Sequence, residues 1–321
     1  MRTLIDFDDA PIFTIPAEAG PRAQAREGML IEGPQGWGEF SPPADAGPEA
    51  DTRWLTAAVE AGTVGWPDPV RGRVPVAVAV PAVSVHDAHR IVGRSGCAAA
   101  DVTVGDGSDL EGDLVRVRAV REALGPRGAV RCHAMGRWDT ETAVRAIAAL
   151  DEAAGGLEFL RQPCSAVGDN AAVRRRVDVP IALDGWSLDP ASWVREPREV
   201  ADIVVVTVGP LGGVRRAMRV AETSGLPCVV ASSGHTSVGL AGGLALAGAL
   251  PELPFAVATV MPLTGDVVSP ARSLVATDGH LPVSPMPPAP DADLLAEFTA
   301  ADPVTVARWR DRLRVAVHRL D

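Results

Sequence analysis

From about residue 76, short apolar runs alternate with longer stretches rich in alanine, glutamate and arginine. The runs are VAVAV (76–80), ADVTV (100–104), AVRCHAM (129–135), LEFLRQ (157–162), PIALDGW (180–186), ADIVVVTV (201–208), PCVVASS (227–233) and FAVATV (255–260). Most stretches between them place apolar residues at three- and four-residue spacing, which is typical of helices packed on a sheet. This alternation predicts an α/β fold with a parallel sheet. Eight strands favour a closed (β/α)8 barrel over an open, doubly wound sheet.

The residues before and after this region predict a small α+β capping domain. EGMLIEGPQGWGEF (27–40) predicts two short strands around a Gly-Pro turn, and DTRWLTAAVEAG (51–62) predicts a helix. After a proline-rich segment, ADPVTVARWRDRLRVAVHRL (301–320) predicts a final helix. We therefore expect a cap from residues 1–83, completed by the tail from about 286 to 321, and a barrel from 84 to 285.

Charge and hydropathy exclude several kinds of partner. The formal net charge of -11 argues against a nucleic-acid surface, which would be basic. We find no uncharged apolar run long enough to span a membrane and no secretory signal, so we expect a cytoplasmic protein without membrane contact. Four cysteines without CxxC spacing fit reduced core thiols: Cys97, Cys132, Cys164 and Cys228. The sequence leaves open whether the chain is a monomer or a homo-oligomer.

Lysine and tyrosine are both absent from the chain. All 30 fixed positive side-chain charges are therefore arginines. A Schiff base or a general base formed by a lysine of this chain is excluded, because both need a primary amine.

Six segments spread over most of the chain resemble one family. They are REGMLIEGPQGWGEFSP (26–42), WDTETAVRAIAALDEAAGGLEF (138–159), QPC (162–164), RRRVDVPIALD (174–184), VGPLGGVRRAMRVAE (208–222) and TSVGLAGGLALAGALPELP (236–254). They are similar to the o-succinylbenzoate synthases of menaquinone biosynthesis, especially actinobacterial ones, in the enolase superfamily. The resemblance implies an enolase-like α/β fold, with an α+β cap on a (β/α)8-type barrel. It also implies magnesium on three carboxylates, which stabilises an enediolate while lysines on opposite sides handle the proton.

The resemblance assigns the three metal ligands to the ends of the third, fourth and fifth barrel strands. The family pattern DxN is here His133-Ala134-Met135, and Glu-Gln-Pro is Arg161-Gln162-Pro163. Only Asp184, in Asp184-Gly185-Trp186, keeps a carboxylate. One aspartate beside a histidine and an arginine makes a poor magnesium site. We therefore assign no metal ligand and expect no cofactor, although the family uses magnesium.

The lysine positions of the family are changed as well. Its KxK pattern on the second strand is here Asp101-Val102-Thr103, and its lysine on the sixth strand is Thr207. The hydroxyls of Thr103 and Thr207 can hydrogen-bond a ligand, but neither is a competent base. We expect the ordinary synthase reaction to be absent or very slow.

Three residues are the candidates for acid/base chemistry. His133 leads, because an imidazole titrates near neutral pH. Asp184 can orient His133 or bind a substrate ammonium group; alternatively, His133, Asp184 and Arg161 bond to one another and fill the vacated site. Asp101 becomes a second acid if burial raises its pKa, or else it is a solvated carboxylate.

Further residues are candidates for binding the substrate. Arg161 can hold a carboxylate through two parallel hydrogen bonds, or it can pair with Asp184. Trp186 can stack on an aromatic or cationic group, or it closes the mouth as a plug. Met135 shapes the wall of the site.

The segment ASSGHTSVG adds a second group of candidate binding residues at the seventh strand. His235 stands where the family shows an aspartate before TSVG, near the region that holds the carboxylate-bearing tail of the substrate. Ser232, Ser233 and Gly234 precede a helix whose first N–H groups can bind an anion.

The sequence favours a repurposed enzyme that acts on a small carboxylate-bearing or aromatic substrate without a metal. Its reaction would be a cyclisation, condensation, isomerisation or elimination in specialised biosynthesis, for instance of Pictet–Spengler or cycloaddition type. One alternative is a catalytically inactive homologue that binds a ligand or acts as a scaffold. A second alternative is residual o-succinylbenzoate synthase activity, a dehydration.

Overall fold

A barrel and a smaller sheet make up the described strands. The computed structural model describes residues 5, 7–16, 25–106, 109–186, 197–232, 235–259 and 263–320. Its strands are β1 (Ile12–Ile15), β2 (Arg26–Gly33), β3 (Gly36–Phe40), β4 (Arg73–Val80), β5 (Ala99–Thr103), β6 (Ala129–His133), β7 (Phe159–Arg161), β8 (Ile181–Asp184), β9 (Ile203–Thr207), β10 (Cys228–Ala231), β11 (Val257–Ala258) and β12 (His280–Pro282).

Helices connect most of the parallel strands. They are α1 (Pro48–Thr63), α2 (Val85–Ser95), α3 (Leu110–Leu124), α4 (Thr140–Ala154), α5 (Val167–Arg174), α6 (Pro197–Val200), α7 (Val208–Leu211), α8 (Val214–Ser224), α9 (Ser237–Ala249), α10 (Ala292–Glu297) and α11 (Pro303–His318). The starts of α2, α3 and α4 are fixed by Ser84, Asp109 and Asp139, whose side chains accept a backbone N–H of the first turn. None of the described helices has the length and apolar character needed to cross a membrane.

Strands β4 to β11 form a closed parallel barrel. Neighbouring strands pair in chain order, and β11 closes the ring by pairing with β4 through Val257 and Val76. Each of the eight apolar runs overlaps one of these strands, so the predicted barrel is confirmed. In the last run, which the structure describes as far as residue 259, the strand comprises Val257–Ala258 and is shorter than expected.

The barrel axis is filled by side chains rather than open. Arg131 on β6 is fully buried, and its guanidinium carbon lies 4.9 Å from the ring centroid of Phe159. Inward-facing apolar residues complete this packing: Phe159, Ala182, Ile203, Val205, Val229, Ala231 and Ala258. The lower part of the barrel is thus a packed core, and in barrels of this type the active site lies at the carboxyl ends of the strands.

Both ends of the chain contribute to the layer that covers the barrel. β1, β2 and β3 form an antiparallel sheet, and α1 and α11 pack on each other. Trp309 of α11 donates its indole N–H to Glu27 at 2.9 Å and lies edge-on to Phe40, with 5.8 Å between ring centroids. The boundaries expected at residues 83 and 286 stay a prediction.

Candidate active site at the barrel rim

Three candidate residues end neighbouring strands on one side of the barrel rim. His133 ends β6, Arg161 ends β7 and Asp184 ends β8. His133 pairs in register with Thr103 on one side and with Arg161 on the other. Because the carboxyl ends of parallel strands share one rim, these side chains face a common space.

Arg161 and Asp184 form an ion pair at this rim, in which one carboxylate oxygen accepts two guanidinium N–H groups. Nε and Nη2 of Arg161 lie 3.0 and 2.5 Å from Oδ1 of Asp184. The two side chains are only 16% and 6% exposed. The backbone N–H of Asp184 donates to Oε1 of Gln162 at 3.2 Å. Of the two arrangements left open for Arg161, the structure contains the salt bridge.

His133 is held in its neutral form beside this pair. Burial lowers the pKa of its imidazole well below the usual value, and the positive charges of Arg161 and Arg137 lower it further. Its ring forms no hydrogen bond with any residue in the described ranges. At neutral pH, His133 therefore offers a ligand one N–H donor and one nitrogen acceptor.

Asp101 lies one layer below the rim and faces the barrel axis. Its Oδ2 is 3.8 Å from Nη1 of Arg131, and its side chain is 13% exposed. Arg131 also donates from Nε to Glu158 at 2.6 Å. The inward direction of this strand position leaves Asp101 half-buried, and its interpretation as a solvated carboxylate stays a prediction. Its assignment as a second acid stays a prediction.

The remaining rim candidates differ in exposure. Thr207 is buried at the end of β9, and Thr103 is half-buried at the end of β5. Trp186 is 46% exposed, and both of its interpretations, a stacking residue or a plug that closes the mouth, stay predictions. Met135 is 49% exposed and has a φ of 59°, a left-handed conformation that non-glycine residues seldom adopt.

A buried carboxylate on the cap, Glu39, binds His235 and was missed by the sequence analysis. Oε1 of Glu39 is 2.9 Å from Nδ1 of His235 and accepts the hydroxyl of Ser41 at 2.5 Å. Oε2 accepts the hydroxyl and the N–H of Thr236 at 2.5 and 3.1 Å, and the N–H of Gly239 at 3.3 Å. His235 thus joins the cap to the barrel rather than standing free at the mouth.

The charge of Glu39 is stabilised by its partners. Burial alone would raise the pKa of this carboxyl, but His235, Arg26 and the hydroxyl of Ser41 lower it to about 2. One signal for this role was present in the sequence. Glu39 is the fourth residue of GWGEF, a strand whose other positions are apolar or glycine, and a buried charge there needs a partner.

Of the three candidate residues that precede α9, the structure describes Ser232. Its N–H donates to the carbonyl of Ala258 at 2.9 Å, which fixes the chain after β10. Its hydroxyl oxygen is buried without a hydrogen-bond partner among the described residues. Ser233 and Gly234, the other two candidates, lie outside the described residues.

Magnesium, the cation that the family resemblance implies, does not fit the donors at this rim. It requires several oxygen ligands in near-octahedral geometry. The three strand ends supply one carboxylate, one neutral imidazole and one guanidinium, and the guanidinium already binds the carboxylate. In the part of the chain that the structure describes, no three His, Cys, Asp or Glu side chains are grouped to hold a metal.

Comparison with known proteins defines the class. The chain matches a family model described as Enolase C-terminal domain-like over residues 84–289, and one described as Enolase N-terminal domain-like over residues 15–62. It is similar in structure to an isomerase from Streptomyces coelicolor A3(2), with a TM-score of 0.70 and 23% identity over 92% of this chain and 99% of that one. It is also similar to the muconate lactonizing enzyme of Pseudomonas putida, with a TM-score of 0.74 and 18% identity over 92% of this chain and 100% of that one. At these identities the likeness establishes the fold.

Sequence relatives narrow the class to one family. The chain is 48% identical to the o-succinylbenzoate synthase of Thermobifida fusca over 95% of this chain and 94% of the relative. It is 42% identical to the o-succinylbenzoate synthase of Mycolicibacterium smegmatis over 92% and 90%. The chain therefore belongs to the o-succinylbenzoate synthase family of the enolase superfamily, which confirms the resemblance seen in its sequence.

Proposed function

We propose that the chain is a metal-independent enzyme that binds a small carboxylate at the barrel rim and uses His133 for acid/base chemistry. One observation carries this proposal. A guanidinium, that of Arg161, stands at a ligand position of the family and is fixed by Asp184 through two hydrogen bonds. A fixed cation in a partly dry site can bind a carboxylate and stabilise negative charge that develops on it.

The N–H groups of Arg161 that do not bind Asp184 support the proposal that the substrate carries a carboxylate. Its Nε and Nη2 bind Asp184, whereas its Nη1 has no partner among the described residues. Arginine has five N–H donors, so the pair with Asp184 leaves donors for a second anion. An enzyme for an anionic substrate is also consistent with relatives named for the synthesis of o-succinylbenzoate.

Binding of an anion would also activate His133. The charges of Arg161 and Arg137 contribute to the low pKa of its imidazole, after burial. A bound carboxylate offsets those charges, and the imidazole then becomes a stronger base. His133 would accept a proton from the substrate and return it to the product, as a cyclisation, an isomerisation or an elimination requires.

A second candidate is a ligand-binding protein without turnover. The observation that favours it is the same ion pair, since Arg161 and Asp184 satisfy each other without a substrate. The low basicity of His133 in the free protein also agrees with it. Residual o-succinylbenzoate synthase activity would require magnesium, which the donor set does not fit.

Thermal melting tests the metal-independent site. We expect the melting temperature to be equal in magnesium and in EDTA, and to rise with a small carboxylate, because a ligand stabilises the state that binds it. A matched variant, His133→Asp/Arg161→Glu, restores three acidic groups with Asp184 and should acquire a magnesium-dependent rise. A magnesium-dependent rise in the unmodified protein would contradict the proposal.

The acid/base assignment is tested with the carboxylate that gives the largest rise. Turnover of that compound should fall at least about a hundredfold in His133→Ala, the usual contribution of a general acid or base. His89→Ala, at an exposed position on α2, is the matched control and should keep full activity. Unchanged binding with no turnover in the unmodified protein would favour the ligand-binding alternative.

A further inference from the structure

A cavity of about 680 Å³ lies outside the barrel, next to β4. Val76 and Val78 line it from β4, Leu240 lines it from α9, and Phe298 lines it at the end of α10. Its volume is within the range of small-molecule sites, which is roughly 300 to 1,000 Å³. The described lining residues include none of those that end β6, β7 and β8. The cavity is therefore separate from the proposed acid/base centre.

The cavity lies where the last crossover of the barrel is irregular. Residues 263–276 follow β11 and contain neither helix nor strand, and Leu263, Val268 and Leu274 of this segment line the cavity. Packed protein interiors leave few voids larger than a water molecule. An irregular segment covers the outer face of a strand less completely than a packed helix would, so apolar side chains face an open space here.

Most polar groups of the wall already have partners within the protein. Five lining hydroxyls each donate to a protein oxygen, those of Ser95, Thr236, Ser237, Thr259 and Ser273. The carboxylate of Asp266 accepts the hydroxyl and the N–H of Ser237 at 2.5 and 3.2 Å. The imidazole of His235 binds Glu39, and the hydroxyl oxygen of Ser232 is enclosed by protein. A charged ligand group would find few free partners inside, and its burial without a partner is unfavourable.

The cavity opens to solvent near the end of α2. Arg94 and Ala276 line it and are exposed, and Cys97 lines it shortly before the start of β5. This opening therefore lies towards the amino ends of the strands, away from the rim. Arg94 and Glu297, the other charged groups of the described wall, are both exposed and of opposite sign, so their charges stay in water.

We infer that this cavity is a second ligand site, which binds an uncharged apolar molecule, a hydrocarbon chain or ring with at most one hydroxyl group. A cavity of about 150 Å³ with an apolar wall is large enough to bind benzene, so this larger one holds a longer chain or fused rings. Each methylene that leaves water strengthens binding by a constant factor. The inference does not rest on the proposed function, because its ligand contacts no group of the acid/base centre.

Alkylation of Cys97 by N-ethylmaleimide, followed by mass spectrometry, measures occupancy of this site. Cys97 is half-buried, whereas the other three cysteines are buried. Butan-1-ol, hexan-1-ol and octan-1-ol should slow the alkylation, and the concentration that halves its rate should fall about fourfold for each added methylene. Octanoate and octylamine should need at least about tenfold higher concentrations than octan-1-ol, because the cavity offers their charges few partners.

Two variants fill the cavity from different sides, Leu240→Trp on α9 and Leu274→Trp on the irregular segment. Both should lose the protection by octan-1-ol, whereas Leu110→Trp, at an exposed helical position, should keep it. If octan-1-ol does not slow the alkylation in the unmodified protein, or if neither filled variant loses the protection, the site is wrong. Equal protection by octanoate would overturn the assignment of an uncharged ligand. A carboxylate bound only at Arg161 leaves the alkylation of Cys97 unchanged, so failure of the proposed function is a separate result.

Discussion

Arg161 and Asp184 depend on each other because both charges are largely removed from water. The side chain of Asp184 is 6% exposed and accepts two N–H groups from Arg161. In the family pattern a metal ion would balance this carboxylate; here a covalently attached cation does so. The charge of the site is then independent of any ion in solution. Removal of either partner should therefore lower the free energy of unfolding of the protein.

Replacing one partner of this pair should destabilise the protein strongly. We expect Arg161→Met to lower the free energy of unfolding by about 3 kcal/mol or more, because the largely buried carboxylate of Asp184 loses the cation that it binds. Arg161→Met/Asp184→Leu should recover most of that loss. Arg176→Met, which breaks an exposed pair with Glu141, is the control and should change little. Urea denaturation measures all three, and equal losses in the single and double variants would contradict the argument.

His133 should make the stability of the protein depend on pH. Its folded-state pKa lies well below the unfolded value, mainly through burial, so the unfolded state binds the proton first as the pH falls. The contribution of neutral His133 to the free energy of unfolding is complete above the unfolded-state pKa of about 6.5. This contribution is lost as the pH falls from there towards the folded-state pKa.

The pH dependence is checked by comparing variants. Between about pH 7 and about pH 5.5, the unmodified protein should lose about 1 kcal/mol more than His133→Asn, which has no proton to bind. His89→Asn, at an exposed position, should follow the unmodified protein. If the curves of stability against pH are parallel for the unmodified protein and His133→Asn, the imidazole is not held neutral in the folded state.

At the scale of elements, β3 of the cap and the start of α9 share one carboxylate. Thr236 caps α9, and Glu39 accepts N–H groups from Thr236 and Gly239 around the first turn. A negative charge at a helix N-terminus is favoured by the dipole of the helix. The same carboxylate binds His235, so one side chain fixes the cap strand, the helix and the imidazole together.

Glu39→Gln should therefore weaken the contact between cap and barrel. The folded-state pKa of about 2, against the ordinary 4.5, corresponds to about 3 kcal/mol of stability above pH 4.5. Because this pKa is lowered, the contribution is lost as the pH falls from 4.5 through 2. Stability curves of the unmodified protein and Glu39→Gln should thus converge in acid. Glu32→Gln, at an exposed position on β2, should behave as the unmodified protein; a constant gap down to pH 2 would refute the assignment.

At the scale of the whole molecule, local sequence patterns predicted the architecture. They did not predict contacts between residues that are far apart in the sequence. The barrel followed from alternation within short windows, and the resemblance to the family assigned His133, Arg161 and Asp184 to the ends of its strands. The bond between Glu39 and His235 joins residues 196 positions apart, which no periodicity reports. Alternation also predicted a full strand over FAVATV, whereas the strand among the described residues of this run is Val257–Ala258.

Contacts between cap and barrel should make the whole chain unfold as one unit. Glu60 of α1 accepts the N–H groups of Val214 and Arg215 at the start of α8, in addition to the contacts of Glu39. Trp309→Ala removes a side chain that is almost fully buried in the cap, at a cost of about 3 kcal/mol or more. If cap and barrel unfold together, urea transitions followed by tryptophan fluorescence and by circular dichroism shift equally and stay coincident. Two separate transitions, with only the first shifted, would mean that the cap unfolds alone and that the carboxylates of Glu39 and Glu60 do not couple it to the barrel.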